Sequence, residues 1–243
     1  MTQPPPHGWQ QQPPRHQGWQ QPPPQQGWQQ PPPGWGPPQP PKKSKAPLVL
    51  GILAGVLVLA GLITGLVLYL NINKDSGTSR RADKLPPVCG NVSEAALAKA
   101  RTTNPNGLGS RETELPDGTR TSCSWNQTKG VDGKGHRSTD VHVSGEQEQA
   151  EADFDRIVAQ HMLNKEGTPQ MKPLEGLGDK AAVVLVETDS AFTEISIIVR
   201  KDDAIVEVDH LGWDAGLFSN TRPDVAELEA AARGIAEEMV AKF

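Results

Sequence analysis

"TEISIIVRKDDAIVEVDHL", residues 193–211, contains two runs of alternating side chains separated by a polar turn. The apolar residues of each run share one face: Ile195, Ile197 and Val199 in the first, and Val206 and Val208 in the second. A period of two is typical of a strand with one buried face, and "KDD" between the runs fits a tight reversal. The stretch therefore predicts a β-hairpin and, with it, an antiparallel sheet.

Weaker patterns before the hairpin extend this sheet. "DKAAVVLVE" at 179–187 predicts a third strand. Alternating positions predict two more strands earlier in the chain: Thr121, Cys123 and Trp125 in one, and Val141 and Val143 in the other.

The C-terminal segment "RPDVAELEAAARGIAEEMVAKF", 222–243, has the spacing of an amphipathic helix. Pro223 suits the first helical position, and Asp224 and Glu227 suit the positive end of the helix dipole. One buried stripe is expected: Val225, Leu228, Ala232, Ile235, Met239 and Phe243.

Two more helices are expected before the hairpin. One lies near 147–164, where five residues share a face: Ala150, Phe154, Ile157, Val158 and His161. A short one lies near 93–101, with Ser93 as its N-cap. The order helix, two strands, helix, three strands, helix predicts an α+β fold. In that fold a mainly antiparallel sheet of about five strands is covered on one face by helices.

The segment "PLVLGILAGVLVLAGLITGLVLYL", 47–70, predicts a single transmembrane helix. It carries no charge from Leu48 to Leu70, and about 20 apolar residues span a bilayer core as a helix. A cleavable signal peptide has a shorter apolar region at the extreme N-terminus, so we expect this helix to stay in the protein.

Small residues mark one side of this helix. Two G-x-x-x-G motifs supply them: Gly51 and Gly55, and Gly61 and Gly65. At about 100° per residue the four glycines fall within an arc of roughly 120°. Such a face allows two helices to approach closely, so homodimerisation through the membrane is one expectation, although glycine is common in membrane helices anyway.

The N-terminal tail has a composition that cannot form a core. Residues 1–41 contain 15 Pro, 12 Gln, 5 Gly and 4 Trp, so disorder with a polyproline II bias is expected. Gly-Trp recurs four times, at Trp9, Trp19, Trp28 and Trp35. Four similar contacts on a flexible chain can bind protein partners by avidity, although the tail could also be a simple spacer.

The two cysteines predict the orientation of the transmembrane helix, which the flanking charges do not decide. Lys and Arg lie on both sides of the apolar helix, so the positive-inside rule does not decide. Cys89 and Cys123 are the only cysteines, and both follow the helix, which predicts one disulfide in an oxidising compartment. We therefore expect a cytoplasmic N-terminus and an extracytoplasmic C-terminal domain in the cell membrane.

These features divide the chain into four segments: tail 1–47, transmembrane helix 48–70, linker 71–85 and α+β domain 86–243. All 29 acidic residues and 20 of the 24 Lys and Arg follow the helix, which gives that part a net charge of about −9. This acidity argues against nucleic-acid binding and against flat docking on anionic lipid.

Several short motifs of the domain resemble a known family. A cysteine in "PPVCGN" precedes a short helix, and "CSW", "GLGD" and the late hairpin follow in order. This pattern is similar to extracytoplasmic domains of unknown function found on many actinobacterial lipoproteins and membrane proteins. The resemblance covers roughly residues 86–243, and it implies a location and a fold, since the family has no agreed activity.

No catalytic, cofactor or metal site is expected. His136, Asp140 and His142 form the closest histidine grouping, but the more natural interpretation is a solvated strand face. His161 fits a hydrogen-bonded core histidine, and His210 is expected at the end of a strand. Asp179 in "GLGD" fits a glycine turn in which the aspartate bonds its own backbone, better than a catalytic acid.

Three functions compete at this point. The first is a non-catalytic binding or sensing domain outside the cytoplasm, coupled or not to a cytosolic interaction tail. The second is a membrane scaffold that acts mainly through the multivalent tail. The third, an extracytoplasmic hydrolase, is disfavoured because no nucleophile motif is present in the sequence.

Overall fold

The computed structural model describes residues 44–115, 118–145, 149–163 and 166–243. The chain divides into two units, Met1–Pro47 and Leu48–Phe243, and the domain described below belongs to the second. Residues 1–43 of the predicted tail, with the four tryptophans Trp9, Trp19, Trp28 and Trp35, lie outside the described residues.

The described residues form four α-helices and eight strands. The helices are α1 Ala46–Ile72, α2 Glu94–Lys99, α3 Ala150–Met162 and α4 Val225–Val240, and a short 3₁₀ helix covers Pro87–Asn91. The strands are β1 Asn104–Pro105, β2 Arg111–Leu115, β3 Gly118–Asn126, β4 His136–Ser144, β5 Gly167–Pro173, β6 Lys180–Thr188, β7 Thr193–Lys201 and β8 Ala204–Trp213.

All eight strands belong to one antiparallel sheet with the order β1-β3-β4-β8-β7-β6-β5, and β2 also pairs with β3. The α+β fold and the hairpin are confirmed, but the count of about five strands was too low. The missed strands carry little pattern: β5 is an edge strand with Pro169 and Pro173, every residue of β2 is exposed, and β1 has two residues. Proline is tolerated at a sheet edge because the missing N–H faces away from the ladder.

Helices cover both faces of the sheet, which corrects the prediction that they cover one. On the first face, α4 packs against the alternating apolar residues of the central strands, including Val141, Ile197 and Val208, and α2 packs against α4. On the second face, Phe154 and Ile157 of α3 pack on a smaller apolar patch of β6, β7 and β8. Because α3 has 13 residues and lies over one side of the sheet, β3 and β4 keep a polar surface on this second face.

The predicted disulfide between Cys89 and Cys123 is present and joins the 3₁₀ helix to β3, with the two Cα atoms 5.6 Å apart. Both cysteines are buried in the larger core, and Trp125 lies beside them in the same core.

Helix ends mostly follow the predicted caps. The Ser93 hydroxyl accepts the Ala96 N–H at 3.1 Å at the start of α2. Asp224 is the N-cap of α4 and accepts the N–H groups of Ala226 and Glu227, so it precedes the first turn where it was expected, and Pro223 lies before the helix.

The "GLGD" turn supports the hairpin. Gly176 and Gly178 have positive φ, as predicted. The sequence predicted that Asp179 bonds its own backbone, and this was wrong. Its carboxylate instead accepts the N–H of Asp202 at 2.7 Å. Asp202 itself has φ of 54°, so Asp179 stabilises the tight turn between β7 and β8.

Helix α1 is long and apolar enough to cross a membrane, with a mean hydropathy of 2.6 over 18 residues and none of that window buried. A helix over the predicted 48–70 span is therefore confirmed. The first part of the predicted linker pairs with the domain, since Asp75 forms a bridge with Gly135 and Thr78 with Thr128.

Candidate functional site

Strand register brings seven polar side chains together on the second face of the sheet. We call this group the acid–histidine cluster: Arg120, His142, His161, Glu194, Ser196, Glu207 and Asp209. His142 lies directly opposite Glu207 in the β4–β8 pair, and Asp209 lies opposite Ser196 in the β7–β8 pair. His161, in the last turn of α3, reaches the sheet at this point.

Glu207 is the centre of the cluster. One of its carboxylate oxygens lies 2.7 Å from His161 Nε2, and the other accepts a hydrogen bond from Arg120 at 3.2 Å. The second imidazole nitrogen of His161 lies 3.2 Å from Ser196 Oγ, and Asp209 Oδ1 lies 3.8 Å from Nε2. The Glu207 and Asp209 side chains are only 10% and 14% exposed, so their charges interact strongly with their neighbours.

The pair of His161 and Glu207 favours its charged form. Burial alone would lower the pKa of His161, but the hydrogen bond to Glu207 and the nearby carboxylates outweigh it and raise that pKa. Burial would also raise the pKa of Glu207, but the hydrogen bond from His161 and the charges of His142, His161 and Arg120 hold it below its usual value. The contact therefore favours a protonated imidazole beside a carboxylate.

Asp209 and Glu194 favour their neutral, protonated forms. Burial, followed by repulsion from Glu207, raises the pKa of Asp209 to about 7. Burial also raises the pKa of the Glu194 carboxyl. His142 has a lowered pKa because it is buried, although the charge of Glu207 opposes that effect. The net charge of the cluster therefore changes near neutral pH, chiefly at Asp209.

The groups that could hold a metal ion differ from the predicted histidine grouping. In the part of the chain that the structure describes, His161, Glu207 and Asp209 bring one nitrogen and two oxygen donors within 4.8 Å of one another. Asp209 Oδ1 is buried and makes no hydrogen bond to any described residue. A divalent ion would have to break the contact between His161 Nε2 and Glu207 and compete with Arg120 for the Glu207 carboxylate, so the trio is a weaker ligand set than its spacing suggests.

The residues of the predicted histidine grouping have other contacts. His136 stacks on Trp213 with ring centres 6.3 Å apart. His142 Nδ1 lies 2.9 Å from Ser122 Oγ on the adjacent strand. Asp140 lies on the same face of β4 and opposite Asp209. These side chains form part of a polar strand face, and all three are half-buried.

The cluster also contains the residue types of a hydrolase triad. Ser196, His161 and Glu207 lie in a continuous hydrogen-bonded row. A serine nucleophile must reach a substrate carbonyl, whereas Ser196 has 0% of its surface exposed beneath α3. The row is therefore suited to holding α3 on the sheet and not to acyl transfer.

His210 has a structural role. It lies inside β8 and not at a strand end as predicted, and its Nδ1 lies 2.9 Å from Thr139 Oγ1 and 3.1 Å from the Ser138 carbonyl oxygen. Burial, aided by the charge of Arg137, lowers the pKa of His210 to about 3, so it is neutral in the folded domain.

Concave regions of the described residues are shallow. One of about 690 Å³ is an open depression beside the N-terminal end of α3 and the β7–β8 turn, and it is lined by Glu151, Asp155 and Arg200 among others. A more enclosed groove of about 240 Å³ lies between β5, β6 and the start of α4. Neither includes a residue of the acid–histidine cluster.

The sequence missed the cluster for an identifiable reason. His161 was assigned to a helix face, and Glu207 and Asp209 alternate with Val206 and Val208, as any solvated strand face does. Only the strand order places α3 above these two carboxylates. The two acidic residues that alternate with core valines did indicate a polar site on this strand, but they did not indicate that His161 would contact it.

No family model and no curated protein match this chain. Among solved structures, the crystal structure of the extracellular domain of PknH from Mycobacterium tuberculosis is similar, with 11% sequence identity and a TM-score of 0.30. The match covers 68% of this chain and 81% of that one. A likeness at this TM-score carries no argument about shared function, and the resemblance to the actinobacterial lipoprotein domains stays a prediction.

Proposed function

We propose that this chain is a single-pass membrane protein that presents a non-catalytic binding or sensing domain outside the cytoplasm. Helix α1 supplies the span, and the disulfide between Cys89 and Cys123 suits an oxidising compartment. The N-terminal tail is then a cytosolic interaction segment. The observation that carries a binding role is the polar second face of the sheet, where the acid–histidine cluster lies beside strands that α3 leaves uncovered.

The chemistry of this face selects its partner. Glu207 is charged, Asp140 lies on β4 opposite Asp209, and Asp209 gains a negative charge as the pH rises through about 7. A protein or polymer with basic groups suits this surface, and it would bind better above neutral pH than below it. A change in pH would in turn change the occupancy of the face, which is how a domain of this kind would sense its surroundings.

Site-specific photocrosslinking of the full chain in cells tests the binding face. A photoreactive residue in place of the half-buried Ser122 is expected to give a discrete adduct, because Ser122 lies on the open strand next to His142. The same residue in place of exposed Ala230 on α4 is the matched control and should give none. Glu207→Gln should weaken the adduct at position 122. Equal crosslinking at both positions, or an adduct unaffected by Glu207→Gln, would count against this face.

A fluorophosphonate probe tests the non-catalytic assignment. Ser196 is fully buried, and Ser122 is bonded to His142 on a face without an enclosed pocket among the described residues, so we expect no covalent labelling of the folded protein. A serine hydrolase treated in parallel provides the positive control. Labelling that disappears in Ser122→Ala or Ser196→Ala would identify a nucleophile and replace the binding domain with a hydrolase.

A further inference from the structure

Two loops at one end of the sheet, 128–135 and 213–221, contact the chain that follows helix α1, and we call them the juxtamembrane rim. Helix α1 ends at Ile72, and the Lys74 carbonyl accepts the Gly135 N–H at 2.7 Å. The Lys74 ammonium lies 3.5 Å from Asn220 Oδ1 and 4.7 Å from the centre of the Trp213 ring. Two residues extend at most about 7 Å, so the rim contacts the chain immediately after the helix.

A second contact fixes the first loop to the segment that follows α1. The Asp75 carboxylate accepts N–H groups from Gly77 and Gly130 at 2.8 Å and the Gln127 side-chain amide at 3.0 Å. Burial would raise the pKa of Asp75, but these backbone hydrogen bonds lower it, so the carboxylate stays charged and bonded at neutral pH. The chain after the helix is therefore attached to the domain and does not act as a free tether.

Arginine side chains join the two loops to each other. Arg101 donates from Nε to the Asp132 carbonyl at 2.7 Å and from Nη1 to Asp214 at 3.1 Å, and it also donates to the Lys134 carbonyl. Arg137 adds a 2.7 Å contact to the same Asp214 carboxylate. The rim is one cross-linked structure, so its exposed residues keep a fixed position relative to the end of α1.

The rim exposes three large apolar side chains, and lysines lie around them. Val131 is 66% exposed, Leu217 45% and Phe218 76%. Lys74, Lys129 and Lys134 are also exposed around them. Apolar side chains that enter lipid beside lysines that reach headgroup phosphates are typical of surfaces that lie at a membrane interface.

We propose that the juxtamembrane rim lies in the headgroup region of the membrane that α1 crosses, with Leu217 and Phe218 inserted into lipid. This inference rests on the proposed single-pass topology. The net acidity of the domain argued against contact with anionic lipid, but the rim is a local exception placed next to the span. Rim insertion fixes the domain upright, so the β7–β8 turn at Asp202 and Asp203 lies farthest from the membrane. That turn is about 30 Å from Trp213, given about 3.3 Å per strand residue.

Spin-label depth measurements on the full chain in lipid nanodiscs test this orientation. The two native cysteines are bonded to each other, so a single introduced cysteine takes the nitroxide label. Labels at Phe218→Cys and Val131→Cys are expected to be more accessible to oxygen than to a water-soluble nickel complex. A label at Asp203→Cys, in the opposite turn, is the matched control and should show the reverse preference.

A fourth label, at Leu59→Cys in the middle of α1, separates the two proposals. Lipid-like accessibility at positions 59, 131 and 218, with aqueous accessibility at position 203, supports both the span and rim insertion. Lipid-like accessibility at position 59 with aqueous accessibility at 131 and 218 overturns rim insertion while the span stands. Aqueous accessibility at position 59 overturns the single-pass topology itself.

Discussion

At pH 8, Asp209→Asn is expected to slow amide exchange in β8 about a thousandfold relative to the unsubstituted chain, because it stabilises the domain by roughly 4 kcal/mol. At pH 4 the two proteins should exchange alike. The reason is that the folded domain raises the pKa of Asp209 from 3.8 to about 7, so its charged form is disfavoured in the cluster. Asparagine keeps the shape of the side chain and removes that charge.

The direction with pH follows from proton linkage. Between pH 4 and about 7 the folded domain keeps a proton on Asp209 that the unfolded chain has released. Asp209 therefore lowers the free energy of unfolding least when the pH is below its unfolded pKa. Its contribution to stability is lost as the pH rises through the folded pKa. The difference between the variant and the unsubstituted chain should therefore grow over this interval and then stay constant.

Hydrogen exchange by mass spectrometry on the full chain in nanodiscs measures this effect, with both proteins compared at each pH so that intrinsic exchange rates cancel. Asp203→Asn is the matched control, since that carboxylate is exposed in the β7–β8 turn, and it should leave exchange unchanged. Faster or unchanged exchange in Asp209→Asn at pH 8 would contradict a destabilising charge at this position.

Much of the sheet could be predicted from the sequence, because burial on one face forces alternation. The hairpin of β7 and β8 carries isoleucine and valine at every second position, and its two-residue turn was visible as "KDD". Edge strands escape this rule. Every residue of β2 is exposed, and β5 has two prolines, so neither has a buried face to impose a period.

The acid–histidine cluster could not be predicted because its members are far apart in the chain. His161 and Glu207 are 46 residues apart, and their contact depends on α3 crossing the second face of the sheet. The sequence instead favoured helices on one face of the sheet. The apolar side of α4 is enough to cover the face that carries the larger core, so the pattern did not require a helix on the other face. Local periodicity reports which side of a helix is buried, but not which strand lies beneath it.

Replacing both Cys89 and Cys123 by alanine is expected to lower the free energy of unfolding by about 3–4 kcal/mol. Closing a loop with a sequence separation of 34 removes that much entropy from the unfolded chain. The loss should begin locally, because the disulfide joins the 3₁₀ helix Pro87–Asn91 to β3. Exchange should therefore accelerate first in residues 87–100, and later in the central strands.

The same bond also tests the proposed location of the domain. Treating the unsubstituted chain with a reductant should reproduce the exchange pattern of the double alanine variant, and adding reductant to that variant should change nothing. In cells, the two cysteines should resist alkylation until a reductant is added, since both sulfurs are bonded and buried. Rapid alkylation without reductant in denatured lysates would mean that the thiols are reduced in vivo. The domain would then lie in a reducing compartment, and the proposed topology would be inverted.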